Sequence, residues 1–157
     1  MRCWPLLLLL LVACRTAPLN DDVRAAIDEL YAAFDWDPGG EPDWAAQRAL
    51  FLDGAVFVSG GRAQDTEAFL ASFAGWVRTG EFAESGLHER VVHVRLDHFG
   101  GVAHAWVSFE GHLPGEAEAR TRGLDSLQFV ETPGGWRLAS FTTQYEGEGL
   151  ELPARFR

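Results

Sequence analysis

The sequence predicts an α+β domain, with helices gathered on one side of an antiparallel sheet. Three observations carry this. Apolar residues of the first half recur at spacings of three and four, the helical period. From about residue 87 the pattern changes to four long runs rich in Val, Phe, Trp and Thr. Those runs are separated by Gly100-Gly101, Pro114-Gly115 and Pro133-Gly134-Gly135, two of them tight enough for hairpins. Helices followed by a meander of strands segregate into an α+β layer arrangement. The 157 residues carry no internal repeat and favour one domain.

Each element has its own justification. Asn20 can cap a first helix, and Asp21 and Asp22 lie in its first turn, where the helix dipole favours negative charge. Val23, Ala26, Ile27, Leu30, Tyr31 and Phe34 form one stripe, which predicts a helix over 21–35. Asp37-Pro38-Gly39-Gly40 breaks it. Pro42 suits a helix start, and Trp44, Ala45, Arg48, Phe51 and Leu52 mark a second helix over about 42–52. Asp53-Gly54 turns into a short strand over 55–58, which Gly60-Gly61 ends. Asp65 or Thr66 can cap a third helix with Phe69, Leu70, Phe73, Trp76 and Val77 buried and Gly80 just beyond its end; Trp44 and Trp76 read as core. Strands follow over 87–98, 101–112, 119–131 and 135–146.

Composition narrows the function. A chain 47% hydrophobic and 12% aromatic is not disordered, collagenous or a coiled coil. Its 13 basic side chains are all Arg and face 23 acidic ones, a net charge of −10. Such a balance argues against a phosphate-binding surface, so nucleic acid is not an expected partner.

The chain opens with Arg2 and a short apolar run from Leu6 to Ala13, the pattern of a secretory signal and too short for a transmembrane helix. Leu11-Val12-Ala13-Cys14 resembles a bacterial lipobox. That resemblance implies a signal peptide over 1–13, a lipidated Cys14 with a tether to residue 20, and a domain over 21–157. It places the domain at the bacterial cell envelope, on the extracytoplasmic side, with the membrane as partner through the lipid on Cys14. An ordinary signal peptide or uncleaved anchor is the alternative. After cleavage no free thiol remains, which leaves neither a disulfide nor a cysteine nucleophile. Loss of Arg2 leaves 12 arginines against 23 acids, a charge of −11. An anionic membrane repels such a body, so acyl chains and not a basic patch must anchor it.

Several stretches resemble the nuclear transport factor 2-like superfamily and, within it, the SnoaL-like proteins. They are Ala49 to Val58, Ala105-Trp106-Val107-Ser108-Phe109-Glu110, Arg122 to Phe129, Gly135 to Ser140, and Pro153 in the tail. The resemblance covers residues 21 to about 153. It implies a cystatin-like cone: a strongly curved antiparallel sheet wrapped round a long first helix, with a pocket between. The superfamily holds isomerases, dehydratases, epoxide hydrolases, cyclases and non-enzymatic binding domains, so the fold alone assigns no activity.

Strand alternation puts His104, Trp106, Ser108, Glu110 and His112 on one face of their strand, with Ala103, Ala105, Val107 and Phe109 on the other. In the next strand Arg120, Arg122, Leu124, Ser126 and Gln128 oppose Gly123, Asp125, Leu127 and Phe129. In the last, Trp136, Leu138, Ser140, Thr142 and Gln144 oppose Ala139, Phe141 and Tyr145. The preferred ligand-binding set is Trp106, Glu110, Arg122 and Gln128, an aromatic, an acid, a cation and an amide able to converge on a small molecule. The alternative is a structural Glu110–Arg122 ion pair. Asp125, set among Leu124, Leu127 and Phe129, is the candidate catalytic carboxylate, because burial would raise its pKa. Its alternative is a hydrogen bond to backbone or to Arg122. His88, His93, His98, His104 and His112 lack metal-ligand spacing, and no Gly-x-Ser-x-Gly occurs, so no metal or cofactor is expected. Two apolar sheet faces predict a homodimer through the sheet. The functional expectation is an envelope lipoprotein that binds a small ligand or a partner without catalysis. The alternative is a small-molecule lyase, isomerase or hydrolase using a buried carboxylate.

Overall fold

The computed structural model describes residues 19–157, with side chains from residue 21. The signal segment, Cys14 and the side chain of Asn20 lie outside the described residues. The elements are α1 (Leu19–Ala32), α2 (Trp44–Leu50), β1 (Phe51–Ser59), β2 (Arg62–Gln64), α3 (Thr66–Thr79), β3 (His88–Phe99), β4 (Val102–His112), β5 (Ala119–Thr132) and β6 (Gly135–Tyr145), with a 3-10 turn at Ala154–Phe156.

Local chemistry explains most boundaries. Asp43 caps α2 by accepting from the backbone N–H groups of Ala45 and Ala46, and Asp65 caps α3 by accepting from that of Ala68. Gly80 ends α3. Phe51 and Leu52, expected at the end of the second helix, instead begin β1. Gly60 and Gly61 have φ of 55° and 74°, both left-handed, which is the geometry of a two-residue hairpin turn. They therefore lead into β2, which the sequence reading missed by treating the pair as a stop.

The strand order is β2-β1-β6-β5-β4-β3. Hairpins make β3 to β6 antiparallel, as expected. β1, however, lies parallel to β6, with Phe57 opposite Phe141, so the sheet is mixed. The chain between β1 and β6 includes a helix and four strands, long enough to return in the same direction. Bulges occur at Val91/His93, Gly111/His112 and Gln128/Phe129, and such irregularities bend a sheet. The last one changes a face assignment. Gln128 pairs with Ser140 and Phe129 with Leu138, leaving Ala139 as the extra residue. Leu138 and Phe141, expected on opposite faces, both join the core.

α1 lies in the hollow of this sheet. Val23, Ile27, Leu30, Tyr31 and Phe34 are buried against Ala105, Val107, Phe109, Leu127 and Leu138. Trp36 then bridges to Leu87 and packs with Val77, Phe82 and Leu87 in a second cluster at one end of the hollow.

Candidate functional site

α3, the inner face of the sheet and the 81–87 loop enclose a cavity of about 420 Å³. Its apolar wall follows from helical spacing: Phe69, Phe73 and Trp76 project from one side of α3. Phe57 stacks on Phe69 at 4.1 Å between ring centres, and Phe73 stacks on Trp76 at 5.7 Å. Phe34 of the chain after α1 and Phe141 of β6 close the wall from the sheet side. Trp76, read from the sequence as core, is 37% exposed and lines this cavity.

Polar groups gather on the strand side. Glu89 near the start of β3, Thr121 of β5, and Thr143 and Tyr145 of β6 all line the cavity. Glu89 is partly buried, and its backbone N–H donates to Oδ1 of Asp35 at 2.7 Å. Burial, with Asp125 and Asp35 nearby, pushes its carboxyl up to about 8. Asp125 lies behind this wall, 1% exposed, and accepts a 2.5 Å hydrogen bond from the Tyr31 hydroxyl. Burial raises its pKa to about 7, against the pull of the Thr143 and Tyr31 hydroxyls beside it. Tyr31 is raised too, first by burial and then by Asp125. Asp125 Oδ1, Thr143 Oγ1 and Thr121 Oγ1 are buried with no hydrogen-bond partner, and Asp125 and Thr143 stand opposite each other in register. Unpartnered buried oxygens beside a cavity mark where a bound molecule or water would be held.

Asp125 thus faces the hollow, but Tyr31 seals it, and it is not among the residues lining the cavity. Of the two acids on the wall Glu81 is exposed and Glu89 is partly buried, and the sequence reading missed Glu89 between His88 and Arg90. Its signal was Leu87-x-Glu89-x-Val91, an acid in phase with two inward apolar residues.

The sequence model of the SnoaL-like domain family matches residues 23–142. The chain belongs to the SnoaL-like family. No match occurs among curated proteins. Solved structures share the fold at low identity. A cystatin-like protein of unknown function from Nostoc punctiforme has a TM-score of 0.69 at 12% identity, over 83% of this chain and 93% of that one. A nuclear transport factor 2-like protein from Cytophaga hutchinsonii reaches 0.60 at 13%, over 82% and 98%. A candidate ketosteroid isomerase from Shewanella frigidimarina reaches 0.54 at 11%, over 79% and 92%.

The preferred sequence-derived set lies on the other side of this SnoaL-like domain. Trp106, Glu110, Arg122 and Gln128 occupy the outer face, because α1 covers the face carrying Ala105, Val107 and Phe109. They do not converge on the cone. Glu110 accepts from Arg122 Nε at 3.0 Å, from Arg90, and from His112 Nε2 at 3.3 Å. Burial alone would raise its carboxyl, but these donors hold it below the usual range, so it is no general acid. Glu110 and Arg122 border an outer cleft of about 400 Å³ beneath the tail residues Leu152 and Phe156. Trp106 packs its ring 5.8 Å from that of Phe156, and Gln128 is exposed outside the cleft.

Proposed function

We propose that this SnoaL-like domain takes a small, flat, largely apolar molecule bearing an oxygen function into its cone, and that Glu89 exchanges a proton with it. The carrying observation is a carboxyl with a pKa of about 8 set in a wall of aromatic rings. At neutral pH Glu89 is a neutral acid able to donate to an oxygen; after losing its proton it is a base in a low-dielectric site. Thr121 and Thr143 carry the unpartnered hydroxyls that would complete the polar end. The described lining includes Glu81 and Glu89 and no cation, which disfavours an anionic ligand. This supports the lyase, isomerase or hydrolase reading over binding without turnover. The candidate isomerase among proteins of this fold is of that class. Binding without catalysis is favoured by a different observation: the sealed position of Asp125 leaves Glu89 without a second inward acid at the strand end.

Titration with neutral polycyclic ketones, followed through Trp76 fluorescence, tests the reading. Uptake should survive Glu89→Gln, whereas ketone isomerisation and its pH dependence near 8 should disappear. Turnover untouched by Glu89→Gln rejects the assigned role, and no uptake of any neutral ketone rejects the ligand class.

The sequence motif Leu11-Val12-Ala13-Cys14 supports a lipid anchor at the bacterial envelope. We place the domain there, as a homodimer paired through the outer sheet face. Mass analysis of the native N-terminus checks the anchor.

A further inference from the structure

Phe99 closes β3 and is 88% exposed, and Val102 opens β4 at 53%. The two stand opposite each other across the Gly100-Gly101 turn, and Val102 pairs in turn with Val130 of β5. The β3–β4 hairpin therefore ends in an apolar row on the outer face, led by the most exposed of the domain's large apolar side chains. Among the described residues nothing covers it.

Three observations say what does. The first is direction. Asp35, just after α1, meets the backbone of Glu89, whereas Arg24 near the start of α1 donates to the carbonyl of Val94 at 3.4 Å. Moving toward the N-terminal end of α1 is moving along β3 toward Phe99. The second is reach. Leu19 follows Cys14 by five residue steps, a span of at most about 18 Å. A lipid on Cys14 would hold the start of α1, and with it the Phe99 half of the domain, close to the bilayer. The third is charge. Over 95–104 and 130–137, Arg95 and Arg137 balance Asp97 and Glu131, so the strand tips at this end are neutral in a body of charge −11, with Asp21 and Asp22 set against Arg24 at the adjoining start of α1. It is the end an acidic domain can bring to an anionic surface.

We propose that the β3–β4 tip is a second contact with the lipid surface, in which Phe99 and Val102 enter the headgroup boundary beside the anchor on Cys14. This rests on the envelope-lipoprotein reading and adds an orientation to it. Glu89, at the cavity, lies ten residues along β3 from Phe99, about 33 Å at strand rise. The cavity then opens away from the membrane and takes its ligand from the aqueous side.

The experiment uses the full chain, expressed in a bacterium and reconstituted into vesicles of phosphatidylethanolamine and phosphatidylglycerol carrying doxyl-labelled lipid. Once Cys3 is removed and Cys14 acylated, His98→Cys supplies a thiol for an environment-sensitive fluorophore at the tip, and Glu116→Cys one at the far end. The tip label should shift to the blue and be quenched by the doxyl lipid, and the far label should do neither. Adding Phe99→Ser and Val102→Ser should abolish the quenching at the tip while the protein still floats with the vesicles. Equal quenching at both ends, or quenching indifferent to the double substitution, overturns the proposal. So does a blue shift without vesicles, which would mean that a second copy covers the tip. Flotation and the N-terminal mass report the anchor separately: an unacylated protein that stays in solution overturns the anchor and the tip contact together.

Discussion

Glu89 and Asp125 keep their protons in the folded state to about pH 8 and 7, far above their ordinary values of 4.5 and 3.8. Between these limits the unfolded chain has lost protons that the native state still holds. The stability these groups contribute is therefore full below about pH 4 and declines as pH rises through 7 and 8. Each sets a slope of at most about 1.4 kcal/mol per pH unit. Glu89→Gln removes one of the two, so urea midpoints measured at pH 5 and pH 8 should differ by less in the variant than in the parent. An unchanged difference would show that Glu89 titrates as an exposed acid. Glu89 was missed in the sequence, and Asp125 was legible in part. Asp125 stands among apolar residues in its own strand, and its burial was readable there. Its partner was not, because Tyr31 lies 94 positions away and meets it only once α1 packs into the hollow.

At the scale of the elements, the helices and the four-strand meander were readable because period, caps and turn residues agree with one another. The first strand was not fully readable. Phe51 and Leu52 fit a helical stripe as well as a strand, and the parallel β1–β6 pairing arises between segments far apart in sequence. The mouth of the cone depends on a position whose role only the fold reveals. Gly86 has φ of 74°, and a Cβ there would lie 2.5 Å from the Trp36 carbonyl oxygen. Gly86→Ala should therefore break the Trp36–Leu87 bridge and cost about 2 kcal/mol or more, read as a lower melting temperature with a loosened Trp36 environment in near-UV circular dichroism. The outer face is less demanding. Arg90, Glu110 and Arg122 stand in one row across three strands. Glu110 keeps Arg90 and His112 if Arg122 is removed, and Arg122 is itself half exposed. Arg122→Ala should thus cost about 1 kcal/mol or less by chemical denaturation, well short of what an isolated buried charge would cost.

The whole molecule has two sheet faces to cover, and the sequence showed the need without showing the means. α1 and α3 fill the hollow. On the outer side the chain's own tail does part of the work. Glu146 accepts from the backbone N–H of Leu152, Arg157 pairs with Glu151, and the 3-10 turn seats Phe156, 4% exposed, against Trp106. Pro153 stands just before that turn, which gives the tail residue noted in the sequence a structural place. The outer cleft between tail and sheet, lined in part by the exposed Val92, is where the proposed second copy would sit. If a homodimer forms through this face, the tail belongs to its surface and must be in place before the copies meet. Phe156→Ala should then do two things at once. It should lower stability by about 2–4 kcal/mol, through the emptied site against Trp106. It should also weaken the dimer, so that light scattering at tens of micromolar, where weak dimers form, reports a mass nearer that of one chain. A variant that loses stability and keeps the parent's dimeric mass would put the interface elsewhere on the molecule, and a parent that is already monomeric would leave the tail as the sole cover of Trp106.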